Sequence, residues 1–240
     1  MLKDILFYIV LFLTNIVQGI TGFAGTVLAM PPSILLQGID VAKPILNVLG
    51  LLVSVWIVII SYKDLNKKEF FKVMLLMFLG LLLGNYIYKI IPVPILLKIY
   101  AIFIIVISLK GLLVKKEKNV SEMLLIIIVF VAGVIHGMFV SGGPLLIIYA
   151  AKKFKEKTEF RATVSSVWII LNGYLAYTHY IEGLFTQVTT NKLLFSIPLV
   201  FAGAIIGNIL HKKMSQKLFL TLTYILLIIS GLTLLIWLYC

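Results

Sequence analysis

The chain has 240 residues, 62% of them hydrophobic and 12% charged, with a mean hydropathy of +1.14. A soluble domain of this length has too little interior to hide that much apolar surface, so the composition excludes a water-soluble globular protein and points to lipid as the solvent. The net charge of +12 does not indicate a nucleic-acid partner, because the lysines gather in short loops between apolar stretches, the distribution that keeps loops cytoplasmic.

In chain order, the opening MLKDILFYIVLFLTNIVQG is apolar and lacks an A-x-A-like cleavage site; it reads as a retained first helix rather than a signal peptide. It runs into GITGFAGTVLAMP, Gly19 to Pro31. Residues 5–37 are too short for two comfortable crossings and too long for one, which predicts a hairpin of two short helices bent at the glycines. The stretches ILNVLGLLVSVWIVIISY and LLKIYAIFIIVISLKGLLV follow, each long enough to cross roughly 30 Å of hydrocarbon as a helix. Their apolarity is continuous rather than alternating, which argues against a β-barrel.

Past a lysine-rich linker at Lys115 to Lys118, residues 121–151 repeat the broken pattern with GVIHGMFVSGGP, Gly133 to Pro144. The basic loop KKFKEKTEFR, Lys152 to Arg161, leads to further apolar spans and to the single cysteine, Cys240, so no intrachain disulfide forms. The expected fold is an all-α polytopic membrane protein of eight to ten membrane helices.

The chain reads as two copies of one unit. GLLLGNYIYKIIP (Gly80 to Pro92) matches GAIIGNILHKKMS (Gly203 to Ser215) at a separation of 123. Gly22 aligns with Gly137 at 115, Lys43 falls opposite Arg161 at 118, and Ser108 lies near the counterpart of Ser230. Residues 1–116 and 117–240 are therefore expected to be tandem repeats, each with three spans and one broken hairpin. Lys63, Lys67, Lys68 and Lys72 share one loop, whereas its counterpart, Ile181 to Asn191, carries no lysine or arginine. The 152–161 loop reverses that contrast, so the halves are expected to be inverted, with both termini outside the cell membrane. Inverted repeats are an architecture of secondary transporters.

All nine acidic residues (Asp4, Asp40, Asp64, Glu69, Glu117, Glu122, Glu156, Glu159 and Glu182) fall in loops or at helix ends. Carriers of metal cations and carboxylate proton relays use an acid inside the membrane, so neither a metal nor another cofactor is expected. Glycine-rich bends instead present helix N-termini, whose N–H groups and dipole favour an anion. The candidate substrate-binding residues are Thr21, Gly22, Gly25, Thr26, Asn47, His136, Gly137, Ser141, Gly142, Gly143 and Arg161, with the Gln18 amide nearby. His136 is either a neutral core histidine or a donor and carrier of a coupled proton. Arg161, the one arginine among 21 basic residues, either grips an oxyanion or anchors the helix end. Asn85 and Asn208 fit helix packing with an interhelical hydrogen bond. Trp56, Trp168, Tyr174, Tyr177 and Trp237 read as interfacial anchors, and His179 and His211 as border residues.

QGITGFAGTVLAMPP at Gln18 to Pro32 and GVIHGMFVSGGPLLIIYA at Gly133 to Ala150, with the Gly-Asn pairs at Gly84-Asn85 and Gly207-Asn208, resemble the TauE/SafE family of sulfite exporters over nearly the whole chain. The first motif carries AGTVLAMP where more glycines are usual in that family. The resemblance implies transport of small sulfur-containing anions such as sulfite, thiosulfate or an organosulfonate, and less directly proton coupling. The leading expectation is an alternating-access carrier of a small anion embedded in lipid. A passive anion channel is the alternative; an intramembrane serine hydrolase built on Ser141 beside His136 and His179 has no group to orient its base. Substrate identity, direction, coupling ion and oligomeric state stay open at this level.

Overall fold

The computed structural model describes residues 2–113, 121–154, 156–211, 213 and 216–238. The boundary expected at residues 116 and 117, the linker lysines Lys115 to Lys118, Glu117 and Cys240 lie outside them. The described chain is helical throughout: α1 (Leu2–Thr21), α2 (Ala24–Gln37), α3 (Ile39–Ser61), α4 (Lys67–Ile90), α5 (Val93–Leu113), α6 (Glu122–Phe139), α7 (Gly143–Lys153), α8 (Lys157–Ile181), α9 (Gln187–His211) and α10 (Gln216–Trp237). A 3₁₀ turn at Tyr62–Asp64 extends α3. Six helices (α1, α3, α4, α5, α6 and α9) are long and apolar enough to cross a bilayer, and large apolar side chains such as Phe71, Leu75 and Leu79 on α4 face outward. Outward Leu and Phe are what lipid demands. The chain is a polytopic α-helical membrane protein.

Local sequence sets the helix ends. Asn66 caps α4 by accepting the Glu69 amide at 3.1 Å, and Ser121 caps α6 by accepting the Leu124 amide at 3.2 Å, each satisfying a donor the helix itself leaves free. Pro144 sits in the first turn of α7, where a missing N–H costs nothing. Pro31 and Pro32 lie inside α2 and withdraw two donors there.

Both expected hairpins form, but not from pairs of short helices. Their first arms, α1 and α6, run 20 and 18 residues, and only the returning arms, α2 with 14 and α7 with 11, are short. Apolarity continues unbroken up to each bend, so the first arm extends to full length. The bend lies where backbone of positive φ ends that arm: Gly22 at φ 82° and Val140 at φ 54°. These two are 118 positions apart, which corrects the alignment of Gly22 with Gly137. Gly137 lies inside α6, four residues after Gly133.

The glycines explain the helix packing. A Cβ on Gly80 would strike the Phe130 carbonyl oxygen, and one on Gly84 that of Val134; both bring α4 against α6. Likewise a Cβ on Gly203 would meet Phe12 O at 2.5 Å, and one on Gly207 would strike Ile16 O, bringing α9 against α1. Gly137 abuts Leu81 O as Gly19 abuts Ala204 O. Each α4–α6 contact thus has a counterpart in α9–α1, with α4 and α9 positions 123 apart and α6 and α1 positions 118 apart. Small residues permit such close backbone approach in a membrane, where helices gain little from burying apolar surface against each other.

The two hairpins open at opposite ends of α4. At its start, Lys72 and Lys153 pair with Glu122 at 3.8 and 2.5 Å, and the Tyr149 hydroxyl donates to Glu69, joining α6 and α7 to that end. At its finish, the Lys43 ammonium lies 3.5 Å over the Tyr88 ring, which brings the start of α3, and so the end of α2, to that side. Lys89 pairs with Glu182 at 2.7 Å there. The Gln37 amide donates to Asp4 at 3.1 Å, and Lys192 pairs with the same carboxylate.

Candidate functional site between the two helix bends

The two bends meet inside the bundle. Gly143 lies so close to Phe23 that a Cβ on it would reach the Phe23 ring at 2.6 Å and the Phe23 carbonyl at 3.1 Å. Around this meeting point is a small cavity. Gln18, Phe23 and Thr26 line it from the first hairpin, and His136, Val140 and Gly143 from the second. Trp168 and Asn172 of α8 complete the wall.

His136 is the only titratable side chain in the lining, and it is 2% exposed. Its Nε2 lies 2.8 Å from Asn172 Oδ1, and its ring stacks on Trp168 with centroids 4.6 Å apart and planes 17° from parallel. Nδ1 is buried without a hydrogen-bond partner. Trp168 in turn donates from Nε1 to the Gly22 carbonyl at 3.1 Å, so the indole ties the second motif to the bend of the first. The Asn172 backbone carbonyl accepts the Asn47 side-chain amide at 3.0 Å, linking α3 to α8 at the same level. Asn47 Oδ1 and Ser165 Oγ are buried and unpartnered.

The bends present their amides differently. In the first, Thr21 Oγ1 accepts the Phe23 and Ala24 amides at 3.3 and 3.1 Å, and Gln18 Oε1 accepts the Gly25 amide at 2.8 Å. Chain side chains therefore already cap the start of α2. In the second, the Ser141 hydroxyl donates to Phe139 O at 2.8 Å and accepts from the Tyr100 hydroxyl at 2.8 Å, and the amides of Gly142 and Gly143 make no hydrogen bond among the described residues. The α7 start is the open one.

Of the residues the sequence marked, Thr26, His136 and Gly143 line the cavity, with Gln18 beside them. Asn47 reaches it through Asn172, and Gly142 packs on the His136 side chain. Gly22 forms the first bend. Thr21 and Gly25 are occupied in capping, Ser141 is held by Tyr100, and Gly137 packs on α4. Arg161 is buried beside Gly22, with Nη1 donating to Asn208 Oδ1 at 3.0 Å while Nε and Nη2 have no partner. Asn85 and Asn208 are both at helix contacts, Asn85 with its backbone against Gly137. Trp168 was expected at the membrane interface and is instead buried at the cavity, 4% exposed; an indole N–H with a partner tolerates the interior. His179 and His211, read as border residues, are buried too, and His211 Nδ1 lies 2.7 Å from the Ile20 carbonyl.

Asn172 was missed. The available signal was α8 itself, a 25-residue helix with Thr163, Ser165, Ser166, Asn172 and His179 all buried; polar residues inside a span face a cavity or a partner. No described acidic residue is buried, and no three of the described His, Cys, Asp or Glu residues converge as metal ligands do.

Comparison with known proteins agrees with this architecture. Part of the chain, 103 residues or 42% of it, is 29% identical to the probable inner membrane transporter protein TsaS of Comamonas testosteroni, covering 43% of that protein's length. No solved structure matches. Residues 7–234, from the first turns of α1 almost to the end of α10, match the profile described as sulfite exporter TauE/SafE. The chain belongs to the TauE/SafE family of membrane transporters.

Proposed function

We propose that this protein is a secondary-active transporter of a small sulfur-containing anion, such as sulfite, thiosulfate or an organosulfonate. It would bind the anion between the two bends and work by alternating access. The observation that carries the reading is the lining of the cavity: neutral amide and hydroxyl groups, one unpartnered imidazole nitrogen and an open helix N-terminus, with no carboxylate. A helix start with free amides attracts negative charge. The family's description supplies the sulfur; the chain supplies the anion.

His136 offers a way to couple a proton. Asn172 Oδ1 only accepts, so Nε2 keeps its hydrogen and a neutral ring turns the Nδ1 lone pair outward. A lone pair repels an anion. Protonation of Nδ1 converts it to a donor and adds a positive charge, so proton and anion bind together.

Matching α4–α6 and α9–α1 contacts, and hairpins that open at opposite ends of α4, support the reading of two inverted halves, residues 1–116 and 117–240. Rocking one half on the other would expose the cavity alternately. Lys63, Lys67, Lys68, Lys72, Lys152, Lys153 and Lys157 gather at the end where α6 opens. That end is assigned to the cytoplasm, which leaves both termini outside the cell membrane.

The test is the thermal stability of purified protein with sulfite, thiosulfate, sulfate, sulfoacetate and taurine in turn. At least one sulfur anion raises the melting temperature by mass action, and the same anion enters proteoliposomes with saturating kinetics. No stabilisation by any of them overturns the reading, and non-saturating conduction replaces the carrier with a channel.

A further inference from the structure

We propose that Lys43 and Arg161 are paired anion waypoints, one on each route between the cavity and the membrane surface. The proposal rests on the anion-transport reading above and adds a cationic residue, Lys43, and a side of action for each.

Lys43 and Arg161 are the two described lysine or arginine residues buried in the bundle, 3% and 4% exposed. Neither forms an ion pair among the described residues. Lys43 meets the face of the Tyr88 ring at 3.5 Å, and its Nζ makes no hydrogen bond among the described residues. Asp40, Glu182, Lys89 and His179 are its ionisable neighbours; Asp40 is exposed, and Glu182 is taken by Lys89 at 2.7 Å. Arg161 spends one of its nitrogens on Asn208 and leaves two buried ones unpartnered. A buried cation without a counter-charge is destabilising, and a guanidinium with two free N–H edges matches an oxyanion.

Their positions give the direction. The two residues are 118 positions apart, the spacing that also relates Gly22 to Val140. Lys43 stands near the start of α3 and Arg161 near the start of α8. These helices are joined at cavity level by Asn47 and Asn172, and they start at opposite ends of the bundle. On α3, Lys43 is one turn before Asn47, roughly 6 Å toward the end assigned outside. On α8, Arg161 is seven residues before Trp168, roughly 10 Å toward the basic end. An anion travelling either way meets one cation, then the cavity, then the other. In each case the neighbouring bend is adjacent: Arg161 packs on Gly22, and Tyr88 under Lys43 packs edge-on to Phe139 at 6.4 Å.

The experiment measures initial uptake of [³⁵S]thiosulfate by right-side-out and inside-out membrane vesicles carrying the wild type, Lys43→Met or Arg161→Met. Removing a charge-assisted contact is expected to raise KM about tenfold or more. Lys43→Met raises it at the outer face alone and Arg161→Met at the inner face alone, while Lys43→Arg and Arg161→Lys recover most of the loss. Should a methionine variant fail to reach the membrane, the glutamine variant at the same position takes its place. Equal changes at both faces, or none, overturn the waypoints and leave the transport reading standing. If wild-type vesicles move neither thiosulfate nor sulfite nor sulfoacetate, the transport reading itself falls, and the waypoints with it.

Discussion

His136 and Asn172 sit on different helices, α6 and α8, and their side chains meet at 2.8 Å through Nε2 and Oδ1. This contact fixes which ring nitrogen is spoken for and leaves Nδ1 buried and unpartnered. Asn172 is therefore the residue that orients the imidazole, and the Trp168 ring beneath it holds the plane.

Replacing the histidine tests the proton. His136→Gln keeps an amide able to donate to Asn172 and removes the titrating group. Wild-type uptake of the anion is expected to rise as the pH is lowered over the range in which the protein stays folded, because the protonated ring donates and attracts while the neutral ring does neither. Uptake by His136→Gln is expected to be at least about tenfold lower and flat over that range. A variant with the wild-type pH profile would remove His136 from coupling.

Asn172→Asp changes one heavy atom and introduces the carboxylate that the cavity lacks. A charge facing His136 holds the imidazole protonated and repels the anion. The expected outcome is a folded protein that the stabilising anion no longer protects against heat. Retained protection in this variant would place the anion elsewhere.

Trp168→Phe preserves the stack on His136 and deletes the donor to Gly22 O. The loss of one buried hydrogen bond, with the carbonyl left unsatisfied, costs about 1–3 kcal/mol, read as a lower melting temperature in detergent. Because Trp168 lines the cavity, intrinsic fluorescence changes on anion addition in the wild type and not in the variant.

The glycine contacts predict paired effects. Gly137→Ala and Gly19→Ala each push a methyl group onto a facing carbonyl, of Leu81 and Ala204 respectively, and each is expected to destabilise by about 1–3 kcal/mol or more. Gly173, on α8 with open space around its Cβ position, serves as the control: Gly173→Ala is neutral or stabilising by up to about 1 kcal/mol. Thermal melts of the three variants check the ranking.

Much of this architecture is legible in the residues. Length and apolarity give the spans, because a helix is the economical way to satisfy backbone groups in lipid. The spaced glycines of Gly80 and Gly84 give the helix contacts, since only a missing side chain lets carbonyls approach. That no described acidic residue is buried follows from where the carboxylates fall in the sequence. What stays hidden is tertiary. Val140 takes the left-handed conformation at the second bend, where local preference favours Gly137 or Gly142. That Thr21 Oγ1 and Gln18 Oε1 accept the amides at the start of α2 shows only in the fold. Trp168 has the composition of an interfacial anchor, and only the meeting of α8 with both bends carries it inside.

The most direct test of an anion held between the bends is crystallographic. Selenite has the shape and charge of sulfite and scatters anomalously at the selenium edge, so crystals grown with it report one atom's position. The account predicts an anomalous peak within hydrogen-bonding distance of the Gly143 amide and His136 Nδ1. A peak at full occupancy outside that cavity, in protein shown to transport the ion, would contradict it.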